Sequence, residues 1–216
     1  MTLLSLIIGK KNKKNNTAVI LSSVFYLEKL YFYQKKSTKE LCNFISRQAI
    51  LHSSNVGFSN VQHRGMYVVT LMKSSGLSIC AVMNDDKYPI RVMHRLLNSV
   101  LNDYLHDFPE IWKNSYNDYS IDWDKFNEKI IKLQDPREAD RLYSIRCNLD
   151  ETKELMYQNI ESILARGEKI DDLVQRSSDL SKTSKHFYKT TKKFNSKFFR
   201  SFNKQKKFQN LWKLKI

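Results

Sequence analysis

The sequence predicts an α+β domain, an antiparallel sheet flanked by helices, followed by a long coiled-coil helix and a basic tail. Three observations support this prediction. Five β-rich runs and three helical patterns occur within residues 1–134, and apolar residues recur every three or four positions over 142–194. Residues 181–216 contain 12 Lys or Arg and no Asp or Glu. The 216 residues suffice for one domain and an extension, because domains commonly span about 100–150 residues.

The N-terminal domain, residues 1–134, is predicted to have the order β-β-α-β-β-β-α-α. The first helix is expected to be capped by Ser37, Pro89 is expected to open the second helix, and Asp122–Leu133 forms the third. Because strands and helices are partly segregated, we expect a sheet-and-helix sandwich. The predicted strands are Leu3–Ile8, Ala18–Tyr26, Val56–Gln62, Met66–Met72 and Leu77–Val82. The apolar face of the first helix contains Leu41, Phe44, Ile45, Ala49 and Ile50.

Residues 142–194 have the repeat of a helix that packs in a coiled-coil-like bundle. Its core positions, called the seam below, comprise ten large apolar residues, five small or amide residues and one arginine. A register shifted by one residue would include several charged residues, so the apolar pattern of the seam is not an accident of composition. The seam consists of Leu142, Ile145, Leu149, Thr152, Met156, Asn159, Ile163, Arg166, Ile170, Leu173, Ser177, Leu180, Ser184, Phe187, Thr191 and Phe194.

The polar members of the seam favour a four-helix bundle over a coiled-coil dimer. Ser177, Ser184 and Thr191 would leave a dimer weakly packed, whereas a wider bundle accommodates them beside Phe187 and Phe194. A buried guanidinium without partners costs several kcal/mol. Arg166 therefore predicts hydrogen-bond acceptors on partner helices, and such a residue fixes the register of the bundle.

This seam resembles the R-SNARE motif, whose central zero layer contains one Arg hydrogen-bonded to three Gln from other helices. Arg166 lies at that position, within the string Leu164-Ala-Arg-Gly-Glu-Lys-Ile-Asp-Asp-Leu-Val174, and Asn159 lies at a layer where R-SNAREs commonly carry Asn. The resemblance implies that Arg166 is the zero-layer residue and that the other seam positions form core layers. It implies a non-enzymatic role in vesicle-target membrane fusion, with three Gln-SNARE helices as partners.

The N-terminal element order resembles that of a longin domain, which has a profilin-like fold. The strings Tyr88-Pro-Ile-Arg-Val92, Asp135-Pro-Arg-Glu-Ala-Asp140 and Lys185-His-Phe-Tyr-Lys189 resemble the prenylated, synaptobrevin-like longin R-SNAREs without a transmembrane span. This resemblance implies a linker at 135–141 between the longin domain and the motif at 142–194. It also implies a closed state, in which the motif folds back onto a longin groove formed by Leu41, Phe44 and Ile45.

The tail, residues 195–216, departs from that subfamily, whose members end in paired cysteines and a CaaX box. Prenyl or palmitoyl attachment at the C-terminus is therefore not expected. Residues 198–216 contain eight large apolar residues, six cations and no anions, which is typical of a segment bound to an anionic membrane surface. The tail residues expected at that surface are Arg200, Phe202, Lys206, Lys207, Phe208, Trp212, Lys213 and Lys215.

Other classes of site receive little support from the sequence. Cys42, Cys80 and Cys147 lack CxxC spacing, so we expect reduced thiols, no metal and no cofactor. The expected location is cytoplasmic, peripheral on the cytosolic face of vesicle, Golgi or endosomal membranes. Two alternatives remain at this point: an anchor-less SNARE regulator that competes with fusogenic R-SNAREs, and a basic coiled-coil protein that binds nucleic acid. The second explains the tail but not Arg166, so nucleic acid is not an expected partner.

Overall fold

A six-stranded sheet organises the chain in the computed structural model, which describes residues 3–12, 17–53, 56–143, 157–165 and 167–193. The strand order is β2-β1-β5-β4-β3-β6. The strands are β1 (Leu3–Asn12), β2 (Thr17–Phe25), β3 (Gly57–His63), β4 (Met66–Met72), β5 (Leu77–Met83) and β6 (Gln158–Asn159).

The predicted antiparallel sheet flanked by helices is confirmed for five strands, and one further short strand makes the whole sheet mixed. The five predicted strands do pair antiparallel, but β6 adds to β3 in parallel. The reason is that β3 would otherwise be an edge strand with unpaired backbone groups, and a segment from the C-terminal part of the chain supplies the missing partner.

One face of the sheet is covered by helices from residues 90–143. They are α2 (Ile90–Asp107), α3 (Ile111–Asn114), α4 (Lys125–Lys132) and α5 (Pro136–Tyr143). The stretch 135–141, predicted as a linker, is thus largely helical and packs on α2. Asp135 Oδ1 accepts a hydrogen bond from the Arg137 amide at 2.9 Å, Pro136 suits the first helical turn, and Ala139 is fully buried. Capping and core contact together explain why this stretch is helical.

The other face is covered by α1 (Phe32–His52). The helix begins five residues before the predicted cap, and Ser37 is buried within it. A cap contributes only about 1 kcal/mol, which is too little to fix the start of a 21-residue helix at Ser37. Gly9 permits the close approach of α1, because a Cβ there would lie 2.9 Å from Ile50 Cδ1.

Residues 157–193, called the C-terminal segment below, complete the α1 face. They form β6, a 3-10 turn (Ile160–Ser162), α6 (Ile170–Arg176) and α7 (Lys182–Lys193). The continuous helix predicted over 142–194 is therefore broken here, with extended backbone at Ser177 between α6 and α7. A free amphipathic helix would expose its apolar stripe to water. Separate short helices can each follow the surface of the N-terminal domain and bury that stripe.

Candidate functional site: the contact between α1 and the C-terminal segment

The predicted groove is buried beneath the C-terminal segment. Leu41, Phe44 and Ile45 are only 4%, 2% and 1% exposed. They share one hydrophobic cluster with buried residues of the segment, and α7 lies directly against α1. The buried residues contributed by the segment are Ile160, Leu164, Ile170, Val174, Leu180 and Tyr188.

The buried face of the segment overlaps the predicted seam but is not identical to it. Three seam residues are buried, namely Ile170, Leu180 and Ser184. The seam residues Ile163, Leu173, Ser177 and Phe187 are half-buried, whereas Asn159 is exposed. The shared residues cannot face a partner helix while they contact the N-terminal domain.

Four buried residues of the segment lie outside the seam, and the sequence analysis did not single them out as a contact face. They are Ile160, Leu164, Val174 and Tyr188. The pairs Ile160/Leu164 and Ile170/Val174, like the pair Ser184/Tyr188, are spaced by four residues. In α6 and α7 this spacing is the signal that could have revealed Val174 and Tyr188, since residues four apart lie on one face of a helix.

Several predicted site residues fall outside the described residues. Arg166 and the whole tail, 195–216, are among them. By contrast, Leu142 lies in α5 and Thr191 lies in α7, which are both described. The other seam positions outside the described residues are Ile145, Leu149, Thr152, Met156 and Phe194.

A polar cluster, called the turn clamp below, joins the β3–β4 hairpin to α6 and α7. Arg64 and Gly65 form the two-residue turn, and both have the positive φ values that such tight hairpins require. Arg64 Nη2 lies 2.5 Å from Asp171 Oδ1, and its guanidinium stacks 4.2 Å from the Tyr188 ring centroid. The Tyr188 hydroxyl donates to Asp171 Oδ1 at 2.7 Å. The hairpin thus holds one residue from each helix.

His63 extends the turn clamp through a neutral imidazole. Its Nε2 lies 2.8 Å from the Tyr188 oxygen, and because the Tyr188 proton points to Asp171, His63 is the donor in this bond. Burial is the main cause that lowers the pKa of His63 to about 4; the Arg64 cation contributes in the same direction, and Asp171 opposes both. Burial, together with the bond to Asp171, raises the pKa of Tyr188. At neutral pH the turn clamp therefore holds a neutral ring and an intact phenol.

A second polar cluster, called the helix clamp below, fixes the connection between α6 and α7 on α1. Arg47 Nε lies 2.9 Å from Asp179 Oδ2, and Arg47 Nη2 lies 2.7 Å from Asp118 Oδ2. The same guanidinium donates to the Ala18 carbonyl. Asp118 in turn accepts from the Ile20 amide at 2.9 Å. One arginine therefore ties the segment to both the helix and the sheet.

Glu40 completes the helix clamp at the start of α7. Its Oε2 accepts a hydrogen bond from the Ser181 amide at 2.8 Å. Burial acts to raise the pKa of Glu40, but the hydrogen bonds from Ser181 and Ser184 and the nearby Lys36 outweigh burial and lower the pKa. The carboxylate thus stays ionised and accepts the hydrogen bond from the Ser181 backbone amide in the α6–α7 connection.

Most segment residues of the two clamps lie outside the seam. Asp171, Asp179, Ser181 and Tyr188 are not seam positions, whereas Ser184, which also contacts Glu40, is one. The clamps can therefore be altered without changing the residues that a helical bundle would bury.

The site is a surface for association between helices. Cys42 and Cys80 are fully buried, and burial raises the pKa of each thiol to about 12, so neither is a ready nucleophile.

Within the ranges that the structure describes, no helix is both long and apolar enough to cross a membrane.

Comparison with known proteins gives evidence about the family of this chain that does not depend on the structure. The Synaptobrevin family model matches residues 141–206. The chain is 40% identical over 197 residues to the VAMP-like protein YKT61 of Arabidopsis thaliana, covering 91% of this chain and 98% of that protein. It is 37% identical over 172 residues to the synaptobrevin homolog ykt6 of Schizosaccharomyces pombe, covering 79% and 85%. A putative synaptobrevin homolog of Dictyostelium discoideum is 34% identical over 184 residues, with 83% and 90% covered.

Proposed function

We propose a mechanism by which this chain, which belongs to the longin-domain R-SNAREs of the Ykt6 type, restrains and then releases its fusion activity. As an R-SNARE it acts in vesicle fusion by contributing a helix to a SNARE bundle, and the nucleic-acid and competitor alternatives are not favoured. In our proposal the free protein is closed. Assembly with three Gln-SNARE helices on a target membrane replaces the longin contacts of the segment with bundle contacts.

The observation that carries this proposal is the shared use of seam residues. Ile170, Leu180 and Ser184 are buried against the longin domain, and the same three positions belong to the seam. One side chain cannot be buried in both places, so closure and bundle assembly exclude each other. A binding partner that recognises only the open form has its apparent affinity reduced by the fraction of molecules that are open.

Arg166 is assigned to the zero layer of the assembled bundle. This assignment is supported by the single charge among sixteen seam positions, seven layers before it and eight after it. Gln side chains from three partner helices would supply the carbonyl acceptors that a guanidinium needs. The remaining seam residues would form the apolar layers around this polar centre.

The tail is assigned to the surface of an anionic membrane. Its aromatic and cationic residues support reversible attachment, at about 1 kcal/mol per Lys or Arg near such a surface. Binding of this kind depends on salt and is weaker than that of a membrane-spanning helix. We propose that the protein is located on the cytosolic face of vesicle, Golgi or endosomal membranes.

The restraint is tested by the rate of bundle formation with Gln-SNARE helices. Phe44→Glu places a charge in the groove and should raise the assembly rate about tenfold, because a larger fraction of molecules is open. Val174→Asp should do the same from the segment side, since Val174 is fully buried here but lies outside the seam. The second variant leaves the longin core untouched should Phe44→Glu impair folding.

Ile131→Glu is the matched control, because Ile131 is 61% exposed on the opposite face of the sheet. This control should assemble at the wild-type rate. If folded Phe44→Glu and Val174→Asp proteins also assemble at the wild-type rate, the closed state does not restrain assembly.

A further inference from the structure

The start of α1 exposes three consecutive aromatic residues. Tyr31, Phe32 and Tyr33 are 54%, 85% and 61% exposed, and Phe32 has the largest exposed fraction of any large apolar residue in the described ranges. Tyr31 and Tyr33 stack with ring centroids 5.6 Å apart, while Phe32 meets Tyr33 edge-on at the same distance. The three rings, called the aromatic patch below, form one continuous apolar surface. Single exposed apolar residues are ordinary, but contiguous exposed apolar surface commonly marks a binding site.

Lysines flank the aromatic patch along the chain. Four lysines are exposed within residues 28–39, against one exposed acid, Glu28, so this stretch carries a net charge of +3. The first turn of α1 contains no acidic residue, and no side chain caps it. The lysines are Lys29, Lys35, Lys36 and Lys39. The surface therefore combines apolar rings with positive charge.

We propose that the aromatic patch inserts into the headgroup region of an anionic lipid bilayer. Aromatic rings favour the boundary between headgroups and acyl chains, and neighbouring lysines favour anionic lipid. Protein–protein interfaces are depleted in lysine, so four lysines beside three rings fit a lipid surface better than a protein partner. This inference rests on the membrane-fusion role of the family, but not on the proposed closed state or on the tail.

The aromatic patch is open while the C-terminal segment is docked. Phe32 is exposed in the same structure in which Phe44, farther along α1, is buried beneath the segment. The two ends of one helix thus have separate roles: residues 41–45 hold the segment, and residues 31–33 face solvent. Contact between the longin domain and a membrane therefore does not require the R-SNARE motif to be released.

The test is sedimentation of the full chain with vesicles of phosphatidylcholine, with or without phosphatidylserine. Phe32→Ser with Tyr33→Ser should lower the bound fraction on phosphatidylserine vesicles at least about threefold, with little binding to phosphatidylcholine alone. The matched control is Ile111→Ser with Ile131→Ser, two residues that are 58% and 61% exposed elsewhere on the domain. This control should bind like wild type.

The tail is assessed separately by repeating the comparison in a Phe208→Ala, Trp212→Ala background. The tail changes should lower binding on their own, and the aromatic-patch changes should lower it further. If the aromatic-patch variant binds like the control in both backgrounds, the patch does not contact lipid and the proposal is wrong. That result would leave the R-SNARE role intact, because bundle assembly is measured without membranes.

Insertion depth gives a second, independent measurement. A tryptophan at position 32, made as Phe32→Trp in the Trp212→Ala protein, should be quenched by lipids brominated on their acyl chains. Ile131→Trp in the same background should not gain this quenching. Equal quenching of the two proteins would overturn the proposal even if both bind vesicles.

Discussion

Arg166 is the single residue on which the register of the proposed bundle depends most. A guanidinium surrounded by three amide carbonyls is satisfied, and a Gln in its place can still exchange hydrogen bonds with the other three. An Asp would bring a buried charge and no donor, at a cost of several kcal/mol. We therefore expect Arg166→Gln to assemble with Gln-SNARE helices far better than Arg166→Asp.

Thermal dissociation of the assembled bundle, followed by circular dichroism, measures this difference. Arg166→Leu provides the comparison, because it should keep the helix while losing the polar layer that fixes the register. An Arg166→Asp bundle as stable as the wild-type bundle would show that Arg166 does not occupy the zero layer.

At the scale of elements, two adjacent carboxylates of α6 allow the effect of the turn clamp to be distinguished from the effect of charge at the end of a helix. Asp171 contacts Arg64 and Tyr188, whereas Asp172 is exposed, and both lie in the first turn of α6. Each substitution to Asn removes one charge from the same helix end, so the two have similar effects on the helix dipole. Only Asp171→Asn should weaken the docking of α6, by about 1 kcal/mol after discounting for its partial exposure.

Limited proteolysis of the C-terminal segment measures that weakening. Asp171→Asn should be cleaved about fivefold faster than wild type, since about 1 kcal/mol changes an opening equilibrium by that factor. Asp172→Asn should be cleaved at the wild-type rate. Equal cleavage of both variants would remove the turn clamp from the mechanism.

The elements of the longin domain could be predicted far better than those of the motif. The strand runs, the Pro89 helix and the apolar face through Leu41 and Phe44 could all be recognised, because burial in this sheet imposes local periodicity. The seam period describes the helix as partners would bury it. The break at Ser177 and the β6 pairing depend on contacts with distant residues, such as the Asp179–Arg47 ion pair, which local spacing does not encode.

Some residues of the candidate site could likewise be predicted from the sequence, and others could not. The family resemblance named Leu41, Phe44 and Ile45 as groove residues; all three are buried in one cluster with residues of the segment, and their role as a groove for the motif stays a prediction. It did not identify His63, Arg64 or Tyr188, because the contacts of the β3–β4 turn with α6 and α7 join residues more than 100 positions apart. Long-range polar pairs of this kind leave no periodic signal in a single sequence.

At the scale of the whole molecule, we propose that the same segment of this chain has two alternative packings. In our proposal, the longin domain of the closed form takes the place that partner helices occupy in the bundle. The segment contacts the N-terminal domain through an apolar cluster and through the two clamps, and most of the clamp residues lie outside the seam. Regulation then requires only a shift in population between these forms, since each buries overlapping seam residues.

Amide hydrogen exchange across residues 157–193 of the free, full-length protein tests this account most directly. We predict slow exchange in α6 and α7 of the wild-type protein and fast exchange in Phe44→Glu, with the amides of α2 protected in both as the internal reference. Equally fast exchange of α6 and α7 in both proteins, with α2 still protected, would contradict the closed state.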